Sequence, residues 1–422
     1  MEPNSVDACV TDPPYGLGKP PPIADVLRAW LAGEAAEVSG GGFMGRSWDA
    51  FVPGPRYWLA LFRVMKPGAH AVVFAGQRTV DVMGIALRLG GFEVRDVGGW
   101  AYWSGFPKSL DVSKAIDREA GAVREVVGVS SVTGARGSAF ADVRQDSPGG
   151  VYGDASINYR TAPATPDAKL YAGFGTALKP AIEPWILVRK PISEGSIARN
   201  VLRWGTGAIN IDGCRFAAGD PAWVGPNGDK GDWPLTDREP NVVDFSPMPP
   251  RVATDHAAGR WPANLYYCPK ASTAEREAGC GALPLRSAGE LVDRAEGSAG
   301  MTPAAGAGRS SEGRRCVHPT VKALGIMRWL CRLVTPPGGL VVDPFTGSGT
   351  TGIAAGLEGL CFEGAELNNT EAEPFVQIAR ARMAWWALHG DRALDVYRAE
   401  SKAEAEREAR ADAGQLGLWG GS

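Results

Sequence analysis

The sequence predicts an α/β fold: a Rossmann-like, mostly parallel sheet with helices on both faces, interrupted by a large irregular insertion. In residues 1–118 and again in residues 316–395, short apolar runs alternate with stretches of helical periodicity. Residues 119–315 are instead rich in Gly, Ser, Pro, Ala and Asp, a composition that favours long loops. The two regular stretches should therefore share one sheet, and residues 396–422 should form a charged helical tail.

The elements of the first regular stretch follow from their residue patterns. Val6–Thr11 is a short apolar run typical of a strand, and the aromatic stretch Phe92–Trp103 is strand-like as well. Helical periodicity is found at Tyr57–Met65 and at Val80–Leu89, each followed by a glycine-containing sequence. His70–Ala75, between these helices, is predicted to be a second strand. This alternation is that of a layered α/β domain.

The second regular stretch repeats the alternation. Val321–Val334 has helical spacing and stops at a Pro-Pro-Gly-Gly sequence. Leu340–Asp343 is predicted to be a buried strand that leads into a glycine-rich turn, with a helix from about Thr350 to Leu357. Leu360–Leu367 is predicted to be a further strand.

Composition and charge limit the classes of protein. The chain has 422 residues, 44% of them hydrophobic, enough for a large core, yet no run of about 18 apolar residues and no signal-peptide pattern, so we expect a cytoplasmic protein. The seven cysteines are scattered and include no C-x-x-C pair, so we expect neither a disulfide framework nor a metal site. The net charge of −3 means that any nucleic-acid contact must come from a local basic face.

An Asp-Pro-Pro-Tyr sequence follows the first predicted strand, at residues 12–15. The amino group of a base is a poor nucleophile, because its lone pair is delocalised into the ring. A carboxylate and an adjacent carbonyl could accept its two N–H bonds, and a following proline fixes the geometry of that carbonyl. Tyr15 offers a flat face for a base taken out of the helix. The same four residues also suit an ordinary turn.

A glycine-rich turn follows the strand that ends at Asp343. The sequence Asp-Pro-Phe-Thr-Gly-Ser-Gly-Thr-Thr, residues 343–351, would bring backbone and a helix N-terminus close to the charged end of a cofactor. Glu366 lies 23 positions after Asp343. Its position is near the offset, roughly 20 residues, at which an acid reaches ribose hydroxyls. No P-loop lysine follows the glycines, which argues against an ATPase.

The sequence His-Pro-Thr-Val-Lys, residues 318–322, precedes the helix before the glycine turn. Thr320 and Lys322 could meet a carboxylate there. The alternative is an ordinary helix start with a proline and a cap.

Together these three motifs resemble those of the N-4/N-6 DNA methylase family, the β-type amino-methyltransferases, and in particular phage and prophage adenine enzymes. The resemblance includes the permuted order, in which the catalytic motif precedes the cofactor motif. Shorter stretches agree too, at residues 74–79, 105–109, 205–208 and 259–262. It implies the S-adenosylmethionine-dependent methyltransferase fold, and transfer of a methyl group from S-adenosyl-L-methionine to an exocyclic amino nitrogen of a flipped base in double-stranded DNA.

Site residues are carried over from the family position by position. Those implied at the target base are Asp12, Pro13, Pro14 and Tyr15. Those implied at the cofactor are Thr320, Lys322, Asp343, Pro344, Phe345, Gly347, Gly349, Thr350 and Glu366, with Thr320 and Lys322 near its methionine end. No metal is implied.

The resemblance also implies a substrate. An acidic first residue in the catalytic motif is commoner among adenine enzymes, so we expect methylation of adenine N(6); a cytosine N(4) enzyme and a catalytically inactive DNA-binding relative are the alternatives.

The insertion, residues 119–315, should contain the target-recognition region, with ordered segments at Pro184–Arg189 and Trp261–Pro269. Whether the chain forms a homodimer, and whether a restriction endonuclease accompanies it, is left open.

Two positions depart from the family pattern. Lys322 is followed by Ala323 where the family usually has proline, which should alter only the start of the helix. Family members also usually carry a Gly-Asp-containing strand upstream of the catalytic strand, where Asp contacts the adenine of the cofactor. Only residues 1–5 precede that strand here, so we expect a late-starting or truncated chain, and this makes the inactive relative a real alternative.

Overall fold

A computed structural model of the chain describes residues 1–36, 38, 42, 47–105, 109–132, 157–217, 220–222, 259–286 and 313–418. It divides into two compact units. The main unit comprises residues 1–102, 182–279 and 320–422, and the second unit comprises residues 103–181 and 280–319. None of the helices in the described part of the chain is long and apolar enough to cross a membrane.

The strands of the described residues are β1 (Val6–Thr11), β2 (Met65–Phe74), β3 (Glu93–Ala101), β4 (Val126–Val132), β5 (Ile157–Thr161), β6 (Ile182–Arg189), β7 (Leu265–Tyr267), β8 (Leu340–Asp343) and β9 (Cys361–Gly364). The α-helices are α1 (Ile23–Leu31), α2 (Pro55–Val64), α3 (Val80–Leu89), α4 (Val112–Glu119), α5 (Pro166–Leu170), α6 (Ile197–Trp204), α7 (Thr273–Glu277), α8 (Leu324–Val334), α9 (Thr350–Leu357), α10 (Phe375–His389) and α11 (Ala393–Leu418). Short 3-10 helices lie at Ser47–Asp49, Asp212–Cys214 and Gly390–Arg392.

The main unit is built on a sheet with the strand order β7-β3-β6-β2-β1-β8-β9. β6 runs antiparallel to both of its neighbours, and the remaining strands are parallel to one another. β1 pairs directly with β8, through Ala8 with Val341 and Cys9 with Val342. The two regular stretches of sequence therefore share one sheet, and the predicted Rossmann-like α/β fold is confirmed.

Helices cover both faces of this sheet, because alternate residues of its central strands are buried in different clusters. Val10, Val72 and Leu187 pack in a core that includes α8 and α9. Cys9 and Val73, on the opposite face, pack in a second core that includes α1, α2 and α3. Strands buried on both faces are expected for a parallel sheet, and they explain the continuous apolar runs in the sequence.

Several predicted elements have the observed bounds, and others differ for local reasons. The strand at Val6–Thr11 and the helix at Val80–Leu89 match β1 and α3, and the predicted helix from about Thr350 to Leu357 matches α9. β2 begins at Met65, earlier than predicted, since Pro67, expected to close α2, lies within the strand and its carbonyl accepts hydrogen bonds from Asn200 and Thr206.

The insertion contributes two strands to the main sheet. β6 contains the segment Pro184–Arg189 that was predicted to be ordered, β7 lies within the predicted segment Trp261–Pro269, and both strands pair with β3. Trp185 and Ile186 of β6 are buried on opposite faces, which gives this strand a place inside the sheet. The sheet is therefore built from three separate parts of the chain.

The second unit contains the antiparallel pair of β4 and β5 together with α4 and α5. Asp117 of α4 is its buried polar centre: the carboxylate accepts hydrogen bonds from Arg124, from the Ala164 amide and from Thr165. Although burial acts to raise it, these hydrogen bonds lower the pKa of Asp117 to about 2.

Candidate active site

The residues of the three sequence motifs meet at one edge of the main sheet. Asp12 directly follows β1, and Asp343 is the last residue of the adjacent parallel strand β8. Because parallel strands end at the same edge, the two carboxylates are neighbours although 331 positions separate them in the sequence. The Thr11 hydroxyl connects the strands directly, donating to Asp343 Oδ1 at 2.6 Å.

Asp12 has one occupied and one open carboxylate oxygen. Its Oδ2 accepts a hydrogen bond from Lys322 Nζ at 2.5 Å. Its Oδ1 is buried and accepts no hydrogen bond from the described residues. Burial raises the pKa of Asp12, and the Lys322 ammonium, with a smaller effect from the Tyr15 hydroxyl, opposes this rise. The Asp12 carboxyl group therefore has one oxygen with room for a further donor.

The loop after Asp12 is held by backbone contacts. Asp49 Oδ1 accepts hydrogen bonds from the amides of Tyr15 at 2.7 Å and Gly16 at 3.0 Å, and the Thr79 hydroxyl donates to the Tyr15 carbonyl at 2.7 Å. Gly16 has φ +66°, and a Cβ there would stand 3.0 Å from Phe51 Cα. Only glycine suits this turn. Asp49, which the sequence motifs did not identify, therefore fixes the direction of Tyr15.

Pro13 is buried and Pro14 half-buried between the two anchored ends of the motif.

Lys322 lies against the Asp-Pro-Pro-Tyr motif. Besides Asp12, its Nζ contacts Glu183 Oε2 at 3.2 Å, and it sits 5.3 Å from the centre of the Tyr15 ring. The side chain is 7% exposed. Burial alone would lower the pKa of Lys322, but the two carboxylates raise it, so the ammonium is charged. Lys322, expected near the methionine end of a cofactor, thus contacts the Asp12 and Glu183 carboxylates, and Thr320 is exposed.

Glu183 is the member of this cluster that the sequence motifs missed. Its Oε1 contacts Lys270 Nζ at 3.2 Å, and its Oε2 accepts from Tyr15 Oη at 3.4 Å in addition to Lys322. Burial acts to raise the pKa of Glu183, but the two lysines lower it. In the sequence, Glu183 appears only as an acid beside the apolar run that forms β6. It lies near Asp12 because β6 is antiparallel to β2, a direction that the sequence motifs do not reveal.

Both carboxylate oxygens of Asp343 accept hydrogen bonds from other groups of the protein. Its Oδ1 accepts from the Phe345 amide at 3.0 Å as well as from Thr11, and its Oδ2 accepts from the Thr351 hydroxyl at 2.6 Å. Desolvation nevertheless raises the pKa of Asp343 to about 6. The carboxylate shapes the start of the glycine turn, and none of these contacts directs it outward.

Glu366 lies beside the glycine turn. Its Oε2 accepts from the Gly347 amide at 2.7 Å, and its Oε1 accepts from the Asn368 amide at 2.8 Å. Gly347 has φ +53°. Gly349 has φ +80°, and a Cβ there would stand 3.0 Å from Ala379 Cα. The turn therefore needs both glycines.

A buried arginine supports the other side of this turn. Arg382 of α10 donates to the Ser348 carbonyl and, at 3.1 Å, to Thr350 Oγ1, and its other nitrogen donates to the Glu275 carbonyl at 2.9 Å. The sequence motifs do not identify Arg382, which lies 34 positions after Ser348 in the chain.

The residues between Asp343 and the glycines face a different neighbourhood. Phe345 packs beside Tyr57 and Trp58, with ring centres 6.3 Å apart in both cases, and Pro344 is half-buried. The motifs thus form two adjoining groups, one around Asp12 and Lys322 and one around the glycine turn. Of the shorter matching stretches, residues 106–108 lie outside the described residues.

Two other features do not coincide with this edge. Among the described residues, no group of three or more His, Cys, Asp or Glu side chains is arranged to hold a metal ion. A surface cavity of about 610 Å³ is lined by Asn4, Arg56, Leu59, Ala60, Phe62, Arg63 and Lys190, none of which belongs to a motif. Asn4 precedes β1 and Lys190 follows β6, so this cavity lies at the opposite edge of the sheet.

Part of the chain matches a known family. Residues 263–377 match the model of a DNA methylase family, a range that includes Lys322, the glycine turn and Glu366 but not Asp12 or Tyr15. The type II methyltransferase M.ScaI of Streptomyces caespitosus is 35% identical over 78 residues, 18% of this chain and 24% of that protein. The matched part therefore spans about a quarter of the length of this relative.

Three solved structures are similar over most of their length at low identity. The PvuII DNA methyltransferase (cytosine-N4-specific) gives a TM-score of 0.41 at 12% identity, covering 94% of this chain and 86% of that one. The M1.HpyAVI–SAM complex gives 0.34 at 14%, covering 90% and 89%. The protein TTHA0409 of Thermus thermophilus, complexed with S-adenosyl-L-methionine, gives 0.36 at 15%, covering 91% and 87%.

The raised pKa of Asp343 leads to a prediction about stability. Its value of about 6 exceeds the value of about 3.9 for an exposed aspartate, so the folded state binds the proton more tightly than the unfolded state. The free energy of unfolding should therefore fall as pH rises from about 4 to about 6. Asp343→Asn cannot titrate, and its stability relative to wild type should rise over this interval by up to ~3 kcal/mol.

Urea denaturation at pH 4, 5, 6 and 7 measures this difference. Asp25→Asn, in an exposed ion pair with Arg28, is the matched control and should follow the wild-type pH dependence. Parallel curves for wild type and Asp343→Asn would show that Asp343 titrates normally in the folded state.

Proposed function

We propose that this chain, whose residues 263–377 match the DNA methylase family, transfers a methyl group from S-adenosyl-L-methionine to the exocyclic amino nitrogen of an adenine flipped out of double-stranded DNA. The observation that carries the proposal is the open oxygen of Asp12. A buried carboxylate oxygen without a donor is costly unless something binds there. An amino group supplies the missing donor.

The residues around Asp12 suit the nucleophile. One N–H of the amino group would donate to Asp12 Oδ1 and the other to the Pro13 carbonyl, which draws the nitrogen lone pair out of conjugation. Lys322, held on Oδ2, favours the ionised form of Asp12 and therefore its use as an acceptor. Such preorganised groups are typically the largest contribution to catalysis.

Tyr15 would support the flipped base. Its backbone is anchored by Asp49 and Thr79, so the ring has a defined direction. Burial, followed by the nearby carboxylates, raises the pKa of Tyr15, which keeps the phenol neutral. A neutral aromatic ring is a suitable stacking surface for any base.

The glycine turn fits a cofactor of this kind. The Glu366 carboxylate accepts one backbone N–H on each oxygen and retains lone pairs for the two ribose hydroxyls. The positive φ angles of Gly347 and Gly349 hold the backbone in a tight turn before α9. We propose that Thr320, Pro344, Phe345 and Thr350 line the binding site there, and that Asp343, whose two oxygens accept hydrogen bonds within the protein, contributes by shaping the turn. When bound, S-adenosylmethionine supplies an electrophilic methyl group on a sulfonium sulfur.

Adenine is proposed on the basis of the acidic first motif residue, Asp12. Cytosine N(4) is the alternative, since its amino group also presents two N–H bonds to an acceptor pair. Nucleoside analysis by mass spectrometry of DNA from cells that express the chain distinguishes N(6)-methyladenine from N(4)-methylcytosine. An inactive relative would leave both undetected, and a chain that does not bind S-adenosylmethionine in calorimetry would be such a relative.

Sequence recognition is proposed for residues 119–315, because base identity is read by side chains that reach the groove edges. Residues 133–156, 218–219, 223–258 and 287–312 of this range lie outside the described residues. β6 and β7 belong to the sheet, so a recognition segment should be sought between the elements of the sheet. Exchange of residues 119–315 with those of a relative should change the methylated sequence; retention of the original sequence would assign recognition elsewhere.

Asp12→Ala should abolish methyl transfer and spare cofactor binding, since Asp12 would contact the base and the turn around Glu366 would hold the cofactor. Loss of one polarising acceptor costs on the order of a hundredfold in kcat. Turnover is measured on DNA with labelled cofactor, and affinity by calorimetry. Asp25→Ala, at an exposed ion pair, is the control. Near-normal turnover of Asp12→Ala would remove Asp12 from the mechanism.

Glu366→Ala should weaken S-adenosylmethionine binding by about ten- to a hundredfold, the effect of losing charge-assisted hydrogen bonds worth roughly 1.5–3 kcal/mol. Calorimetry gives the dissociation constant. The control is Glu363→Ala, an exposed acid on β9. An unchanged constant, in a variant that remains folded, would mean that the ribose lies elsewhere.

A further inference from the structure

We propose that Glu183 is a positioning residue for methyl transfer: by sharing the Lys322 ammonium with Asp12, it keeps Asp12 Oδ1 open for the incoming amino group. This inference rests on the proposed function. It assigns a task to a half-buried carboxylate, that of Glu183, which lies outside the matched range 263–377 and outside the motif residues. The role depends on the position of Glu183, on the geometry of Lys322 and on the balance of charge.

The backbone on both sides of Glu183 is fixed. The Ile182 carbonyl accepts from Gln77 Nε2 at 2.6 Å, and the Pro184 carbonyl accepts from the Ala75 amide at 3.0 Å. Glu183 itself pairs with Trp100 of β3. Because β6 runs against its neighbours, its first residues lie at the edge where β1 and β2 end. Glu183 is thus held beside Asp12 by the central strands of the sheet.

The position of the Lys322 ammonium follows from its two carboxylate partners. Asp12 Oδ2 is 2.5 Å away and Glu183 Oε2 is 3.2 Å away, on a side chain that is 7% exposed. An ammonium with Asp12 as its single partner would be free to bridge both oxygens of that carboxylate. It would then occupy the acceptor that the amino group needs. The second carboxylate holds the ammonium on Oδ2.

Charge balance supports the same role. Glu183 is flanked by Lys322 and Lys270, so two carboxylates and two ammonium groups alternate at this edge. The titratable and charged groups that face Glu183 in the described residues are Asp12 and Tyr15 after β1, Lys322 before α8, Lys270 after β7 and Tyr102 after β3. Glu183 raises the pKa of Asp12, whereas Lys322 lowers it. The two residues therefore tune the acceptor strength of Asp12 in opposite directions.

The test compares Glu183→Gln, Lys322→Met and the control Glu194→Gln. Glu194 is an acid that pairs with Arg203 on α6, away from the site. The Asp12 carboxyl is titrated by NMR in protein labelled with carbon-13 at aspartate carboxyl groups, with Asp12→Asn to assign the signal. The pH profile of kcat is measured on the same proteins, together with the dissociation constant for S-adenosylmethionine and thermal unfolding.

The expected result is a split between the two variants. Glu183→Gln should lower kcat by about ten- to a hundredfold, as for a misplaced catalytic group, with the cofactor dissociation constant unchanged. Its Asp12 pKa and the acid limb of kcat should move to lower pH, because a negative neighbour is lost. In Lys322→Met both should move to higher pH, because a positive neighbour is lost. Glu194→Gln should match wild type throughout.

Wild-type kcat and an unmoved Asp12 titration in Glu183→Gln would overturn the inference, as would a shift in the same direction as in Lys322→Met. The two proposals fail separately. If the wild-type chain methylates no DNA while the Asp12 titration still shifts in opposite directions, the proposed function is wrong and the coupling of Glu183 to Asp12 stands. If methylation proceeds and neither readout responds to Glu183→Gln, the role of Glu183 is wrong.

Discussion

The site exists because β1 pairs with the parallel strand β8. This pairing brings the ends of two distant stretches of chain to one edge, where the Thr11 hydroxyl donates to Asp343. Parallel strands need a crossover connection, and here the chain between them is long enough to contribute β6 and β7 to the same sheet. The group around Asp12 and the glycine turn adjoin as a consequence.

Around Asp12 the protein keeps charge in the interior by alternating its sign. An isolated buried carboxylate would take up a proton, and an isolated buried lysine would lose one. Lys322 lies between Asp12 and Glu183, and these ion pairs stabilise the charged forms of all three side chains. Lys270, which is 49% exposed, pairs with Glu183 on the solvent side and is the last member of this row of alternating charges. Within the described residues, this arrangement leaves one buried oxygen of Asp12 without a hydrogen-bond donor.

The glycine turn is built differently, from backbone contacts. Asp343, Glu366 and Arg382 each contact main-chain atoms of the turn or the hydroxyls beside them, so protein groups support its shape from several sides. Asp343 is more deeply buried than Glu366, and its raised pKa reflects the cost of that burial. Rigid support of this kind is what precise placement of a small ligand requires.

The local features could be predicted from the sequence alone: β1, α3, β8 and α9 follow from periodicity, and Asp12, Tyr15, the glycine turn and Glu366 follow from short motifs with a defined chemistry. These patterns span only a few consecutive residues, and the backbone geometry of such short segments depends mainly on their own residues. Glu183, Asp49 and Arg382 could not be found in this way. Their roles come from the reversed direction of β6 and from contacts between segments tens to hundreds of residues apart, and such contacts are set only when the whole chain has folded.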